Sequence, residues 1–168
     1  MSLFDKVFKL LGDPGELPGS KPKTLPEDHS LHKETFKVIG MTYHPESFAR
    51  IRIANPNWRT SKKKILGSDL VRTVIPHYTY PDRPVELKID PTNEHGKGRV
   101  MVFVAGEHIG YLPEDDSVHV GEILRFCSIK YILAEISGGE YRIVYADGTE
   151  NKNTNPLKVS VFVGYSVK

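Results

Sequence analysis

The segment Val159-Ser160-Val161-Phe162-Val163-Gly164-Tyr165-Ser166-Val167 constrains the fold more than any other part of this chain. Val159, Val161, Val163, Tyr165 and Val167 recur at every second position. A strand sends alternate side chains to opposite faces, so this period of two gathers the branched and aromatic residues on one face. A helix would scatter the same residues around its circumference. A strand of this kind needs partners for its backbone and a core for its apolar face, so the domain around it must be rich in β-structure.

Other segments supply the partners. Val100-Met101-Val102-Phe103-Val104 is apolar on both faces and reads as a central, buried strand. Ala105-Gly106-Glu107 turns the chain, and His108 to Leu112 returns beside it. Phe36 to His44 is a further strand candidate, in which Gly40 signals a bulge or a close backbone approach. Strands are also expected at Val74–Tyr80 and Val85–Ile89. Ser128–Ile136 and Glu140–Ala146 are expected to pair as a hairpin through Ser137-Gly138-Gly139, because glycine adopts the positive φ of tight turns. Asn151 to Asn155 then reads as a polar loop.

The expected helices are short. Pro45 opens one or two turns. A second helix is expected from Lys62 to Leu70. A third follows Pro113, where Val120, Ile123, Leu124 and Cys127 recur at i, i+3, i+4 and i+7. Glu114, Asp115 and Asp116 fall in its first turn, where the helix dipole favours anions, and this accounts for the acidic cluster. About seven strands with two or three helices make a mainly β domain, a small barrel or a curled sheet.

The compact domain is expected over residues 35–168. Ahead of it, Phe4, Val7, Phe8 and Leu11 mark one face of an amphipathic helix over residues 1–12, stopped by Gly12 and Pro14. Residues 13–34 read as a Pro/Gly-rich linker, with Pro14, Pro18, Pro22 and Pro26 removing backbone donors. His29 and His32 form an H-x-x-H without the further ligands of a zinc site.

Chemistry is conspicuous by omission. No nucleophile elbow, phosphate-binding loop or H-E-x-x-H is present, so neither an enzyme nor a cofactor nor a bound metal is expected. Cys127 is the only cysteine, which suits a reducing, cytoplasmic setting. No secretory leader and no membrane association are expected, since no apolar run approaches the ~20 residues of a spanning helix.

The positive signal is local charge. The formal net charge is only +2, yet Arg50, Arg52, Arg59, Lys62, Lys63, Lys64 and Arg72 face Asp69 alone between Ala49 and Arg72. Such a patch attracts polyanions, and Trp58 beside it is the kind of side chain on which single-strand bases stack. A solvated helix face with Trp58 partly in the core is the competing reading.

Three pieces of the chain, in order, carry a resemblance: Gly40-Met41-Thr42-Tyr43, the turn Pro91-Thr92-Asn93 before Val100–Val104, and Gly106 followed by Ile109-Gly110-Tyr111-Leu112-Pro113. Over roughly Phe36 to Tyr165 the chain resembles the HIRAN domains found in some DNA-remodelling helicases and as free-standing bacterial and phage proteins. The resemblance implies a small OB-like β-barrel that binds nucleic acid, single-stranded DNA in particular. Tyr43 matches the family's first stacking aromatic and His44 stands at the second. Asn93 matches a polar contact to the terminal nucleotide, and His95 replaces an aromatic. Gly96 stands where the family has the aspartate that helps hold a 3′-hydroxyl, so end recognition is not carried over. Together with Trp58, Arg59, Lys62, Lys63 and Lys64, the implied interface takes in Lys97, Arg99 and Tyr111. A protein-interaction module using the barrel surface or the N-terminal helix is the alternative.

Overall fold

The computed structural model describes residues 29–65, 72–90 and 98–168. The expected N-terminal helix, residues 13–28 of the linker, the end of the Lys62–Leu70 helix and the turn bearing Asn93, His95, Gly96 and Lys97 lie outside them.

The described residues form a mainly β domain with short helices. Strands β1 (His32–Lys37), β9 (Glu150–Val167), β8 (Cys127–Tyr145) and β3 (Arg72–Pro76) lie side by side in that order, all antiparallel. A second sheet has the order β5 (Val85–Asp90), β6 (Arg99–Val104), β7 (Glu107–Tyr111). Two short strands, β2 (Ile53–Ala54) and β4 (Tyr78–Thr79), pair separately. Three α-helices complete the set: α1 (Pro45–Ile51), α2 (Lys62–Ile65) and α3 (Glu114–Phe126).

One isolated backbone bridge links the two larger sheets among the described residues. Ile39 bridges Tyr111 through a reciprocal pair of backbone bonds, Ile39 N to Tyr111 O at 2.8 Å and Tyr111 N to Ile39 O at 2.9 Å. Among the described residues no other ladder joins them, so the sheets pack over a shared core without closing into a continuous barrel. The core is what the alternation demands. Val100, Val102 and Val104 of β6 point into it, as do Val159, Val161, Val163 and Tyr165 of β9, and Val120 and Ile123 of α3 cover one side. Ser117 ties α3 to the second sheet, accepting from Val100 N and donating to Leu112 O.

Several elements differ from expectation. Ser137-Gly138-Gly139 is not a hairpin turn. β8 runs through it for 19 residues, and its register on β9 shifts between Ser137 and Gly139. Gly138 and Gly139 have φ of 97° and 90°, so the positive φ that glycine supplies is spent on a bulge. A side chain at Gly138 would overlap the backbone of Pro156. The real reversal is at Ala146–Thr149, and the expected polar loop Asn151–Asn155 is strand, the exposed far half of β9. The two long strands therefore project as an arm beyond the core, with β3 along its side.

Nearer the start, β1 begins at His32, so the expected domain boundary at Thr35 falls inside it. The strand expected to reach His44 ends at Lys37. Gly40 takes a left-handed φ of 75°, and Met41–Tyr43 forms a 3-10 turn that aims Tyr43 outward. Cys127 is buried as expected but opens β8 in extended geometry.

One polar cluster sits in the core. His32, Glu34 and Phe36 are the inward residues of β1. The Glu34 carboxylate, 2% exposed, lies 2.9 Å from His119 Nε2 of α3 and accepts a hydrogen bond from the Tyr165 hydroxyl of β9. Burial, then this hydrogen bond, hold the Tyr165 phenol well above its ordinary value. The folded state thus keeps a proton that the unfolded chain gives up above about pH 10, so stability is intact below that point and falls as pH rises beyond it. Each further pH unit is expected to cost about 1.4 kcal/mol from this group. Urea unfolding from pH 8 to 11 checks it: Tyr165→Phe should flatten the alkaline slope, and an unchanged slope would remove Tyr165 as its source.

Candidate functional site

The predicted interface residues fall into two clusters, one at each end of α1. Gly40 and the 3-10 turn place Tyr43 and His44 immediately before the helix, and Pro45 starts it. Phe48 and Ile51 are buried and fix the helix on the core. Arg50 clamps it to β7 through Glu107 at 3.1 Å.

At the first end, four rings form a connected group. The His44 ring lies 4.3 Å from that of His108, which stacks on Phe103 at 5.0 Å and meets Tyr111 edge-on at 4.8 Å. Phe103 and His108 are direct cross-strand partners on β6 and β7, which brings their rings together. His108 Nε2–H donates to Gly110 O at 3.0 Å, fixing the ring. Burial lowers the His108 pKa, and the charge of His44 lowers it further, so the neutral ring is favoured at this rim. Lys88 lies 4.7 Å from the centre of Phe103, and Arg99 lies 5.8 Å from that of Tyr111. Arg99 Nε is buried with no hydrogen-bond partner among the described residues. Beside these packed rings Tyr43 is 84% exposed, with an open face. Chemically the rim offers a bare aromatic surface, a half-buried imidazole pair, Arg99, and Lys88, which pairs with Glu86 at 3.1 Å, a set suited to a planar anionic ligand.

At the second end, Arg52 lies 3.7 Å over Tyr78, Tyr78 stacks on His77 at 4.1 Å, and His77 stacks on Trp58 at 4.3 Å. Arg142 and Lys152 of the arm approach Trp58 at 5.9 and 5.8 Å. Trp58 therefore has a face already occupied by His77, and its packing welds the 3-10 turn Pro56–Arg59 to the arm. Arg142 strengthens the weld by donating to the carbonyls of Asn57 and Thr60 at 3.1 and 2.6 Å. Arg59, Lys62, Lys63 and Lys64 follow on the exposed surface, with Lys62 paired to Glu150 at 3.6 Å.

The structure thus joins Tyr43, His44, Arg99 and Tyr111 in one rim, and joins Trp58 with Arg59 and Lys62–Lys64 in another. Asn93, His95 and Lys97 lie outside the described residues. His108, Phe103 and Lys88 were missed at the first rim, and His77, Tyr78, Arg142 and Lys152 at the second, where Arg52 belongs to the basic patch. For the first, the register of the tight hairpin at Ala105-Gly106 was the available signal, because it sets Phe103 opposite His108. No group of three metal-ligating side chains is found among the described residues. No helix there is long and apolar enough to cross a membrane. Comparison of the chain with protein-family models, curated proteins and solved structures finds no match.

Proposed function

We propose that this chain is a HIRAN-like, non-catalytic module that binds nucleic acid, above all single-stranded DNA, on the rim of Tyr43, His44, Arg99 and Tyr111. The observation that carries the reading is Tyr43, whose ring is 84% exposed beside a supported group of rings and two cations. A large aromatic gains nothing from water, whereas base stacking on such a ring contributes ~1–3 kcal/mol. The resemblance adds Asn93, His95 and Lys97 as neighbours and an OB-like scaffold, and the lone Cys127 suits a cytoplasmic setting. It places Gly96 at the carboxylate that would read a terminal hydroxyl, so strands with a 3′-hydroxyl or a 3′-phosphate bind alike in this reading.

Fluorescence titration of a labelled oligonucleotide at low salt tests it. Tyr43→Ala is expected to weaken binding by roughly 5- to 30-fold, matching about 1–2 kcal/mol. Blocking the 3′ end should change affinity only about threefold or less, the scale of one neutral hydrogen bond. A wild-type chain that shows no binding sinks the proposal. The protein-adaptor reading rests on exposed apolar residues such as Leu133, which is 54% exposed beside Phe162 on the outer sheet face. A partner docked there should be insensitive to salt, unlike a phosphate backbone.

A further inference from the structure

We propose that the bound strand has a second point of attachment, in the pocket beside the Trp58 stack, and that α1 sets the spacing between the two. The inference rests on the nucleic-acid reading above and extends it from one rim to a two-part site. The pocket holds about 370 Å³; Asn55, Asn57, Thr60, Lys64 and Thr73 give it polar groups, and Ile65 and residues 74–76 give it an apolar wall. That volume falls in the range of small-ligand clefts, large enough for one nucleotide unit.

Its chemistry is built for such a unit. Asn55 is committed to structure: its side chain accepts from Asn57 N at 3.0 Å and donates to Pro76 O at 3.0 Å. This shapes the turn and leaves the Asn57 amide, which can both donate and accept, at the pocket wall. Thr60 and Thr73 add hydroxyls and Lys64 a cation. A base edge and a phosphate would be met by these groups.

The acids of the arm do not oppose an anion here. Glu140 is bonded to His77 at 2.9 Å, and Glu150 faces Lys62 and Arg142. Arg59, Lys63 and Lys64 are exposed and have no carboxylate partner among the described residues. The Trp58 stack then acts as a rigid strut, not as a base platform, because its rings are used on each other.

Spacing follows from the helix. The seven residues of α1 extend about 10 Å. Stacked nucleotides rise ~3.4 Å each, so the two steps of a three-nucleotide strand span about 7 Å and fall short of the helix length, whereas a strand of about twelve spans about 37 Å and exceeds it.

The test titrates strands of about three and about twelve nucleotides against wild type, Tyr43→Ala and the double variant Asn57→Asp/Lys64→Glu. Asn57 and Lys64 are exposed, so the fold should survive, and a thermal melt verifies this. The double variant should lower twelve-mer affinity about tenfold and leave the three-mer unchanged, while Tyr43→Ala lowers both. The twelve-mer should also show a steeper salt dependence, by about 0.7 in log–log slope per added phosphate contact. Equal loss for both lengths, or no loss for the twelve-mer, overturns the second attachment while the nucleic-acid reading stands. Absence of binding at every length overturns both.

Discussion

Glu34→Ala is expected to lower the unfolding free energy by about 3–5 kcal/mol, the cost of deleting a buried carboxylate to which two buried groups are hydrogen-bonded. Glu34 and His119 are each 2% exposed and Tyr165 is fully buried, so water cannot replace what is lost. Alanine would leave His119 Nε2 and the Tyr165 hydroxyl without their acceptor, beside a new void. His119 Nδ1 has no hydrogen-bond partner among the described residues, so this ring would have none there at either nitrogen. The cost arises from the orphaned groups more than from the lost attraction. The triple variant Glu34→Leu/His119→Leu/Tyr165→Phe should therefore recover most of the stability, because apolar side chains of similar volume leave no polar atom unsatisfied. Equilibrium urea unfolding of the two variants decides it. A loss under ~1 kcal/mol for Glu34→Ala would mean that the cluster is solvated in the native ensemble.

Gly110→Ala should be the most damaging single methyl addition at the rim. A Cβ there would stand 2.5 Å from Ile39 O and 2.7 Å from Val38 Cγ1. Ile39 O is the acceptor of the Tyr111 backbone bond, so the methyl is driven into the Ile39–Tyr111 bridge between the larger sheets. The backbone cannot yield without parting Ile39 from Tyr111, and overpacking of this kind costs about 2–3 kcal/mol. The Tyr43 turn hangs from Ile39 and Gly40, so oligonucleotide binding should fall further than Tyr43→Ala alone lowers it. Alanine at Gly106 is the comparison, since a Cβ there meets nothing within 4 Å. Its φ of 80° still carries a strain cost, so the contrast to measure is binding, which Gly106→Ala should spare. Equal loss of binding in both variants would remove the bridge from the explanation.

The strands that could be read from sequence are those whose pattern reports burial directly. Val159–Val167 and Val100–Val104 alternate or saturate with apolar residues, and both lie where that pattern requires. The arm was illegible because its far half is exposed: Asn151, Asn153 and Asn155 look like loop when their only stabilisation is the ladder to β8. Gly138-Gly139 misled because positive φ serves a bulge as well as a turn. At the candidate site, Tyr43 and Arg99 were visible through motif and charge. His108 was not, because its role depends on which residue of β6 it faces. Glu34 was hidden in the expected linker, since a lone acid on a short strand carries no sign that its partners lie on α3 and β9.

The pairing of β1 with β9 also dictates when this chain can fold. His32 lies opposite Tyr165, so the sheet's first strand finds its partner only after β9 has been made. Glu34 meets His119 and Tyr165 in the core, so a nascent chain carries this acid in water until α3 and β9 have been made. Contacts this distant in sequence form slowly, because the intervening loop must be closed before any of them is rewarded. During synthesis the β5–β6–β7 meander and α3 can assemble first, while the apolar face of β1 waits. The acid on that face keeps the waiting strand soluble and poorly suited to pairing with a neighbouring chain, so the group that is costly to bury in the finished domain protects the unfinished one.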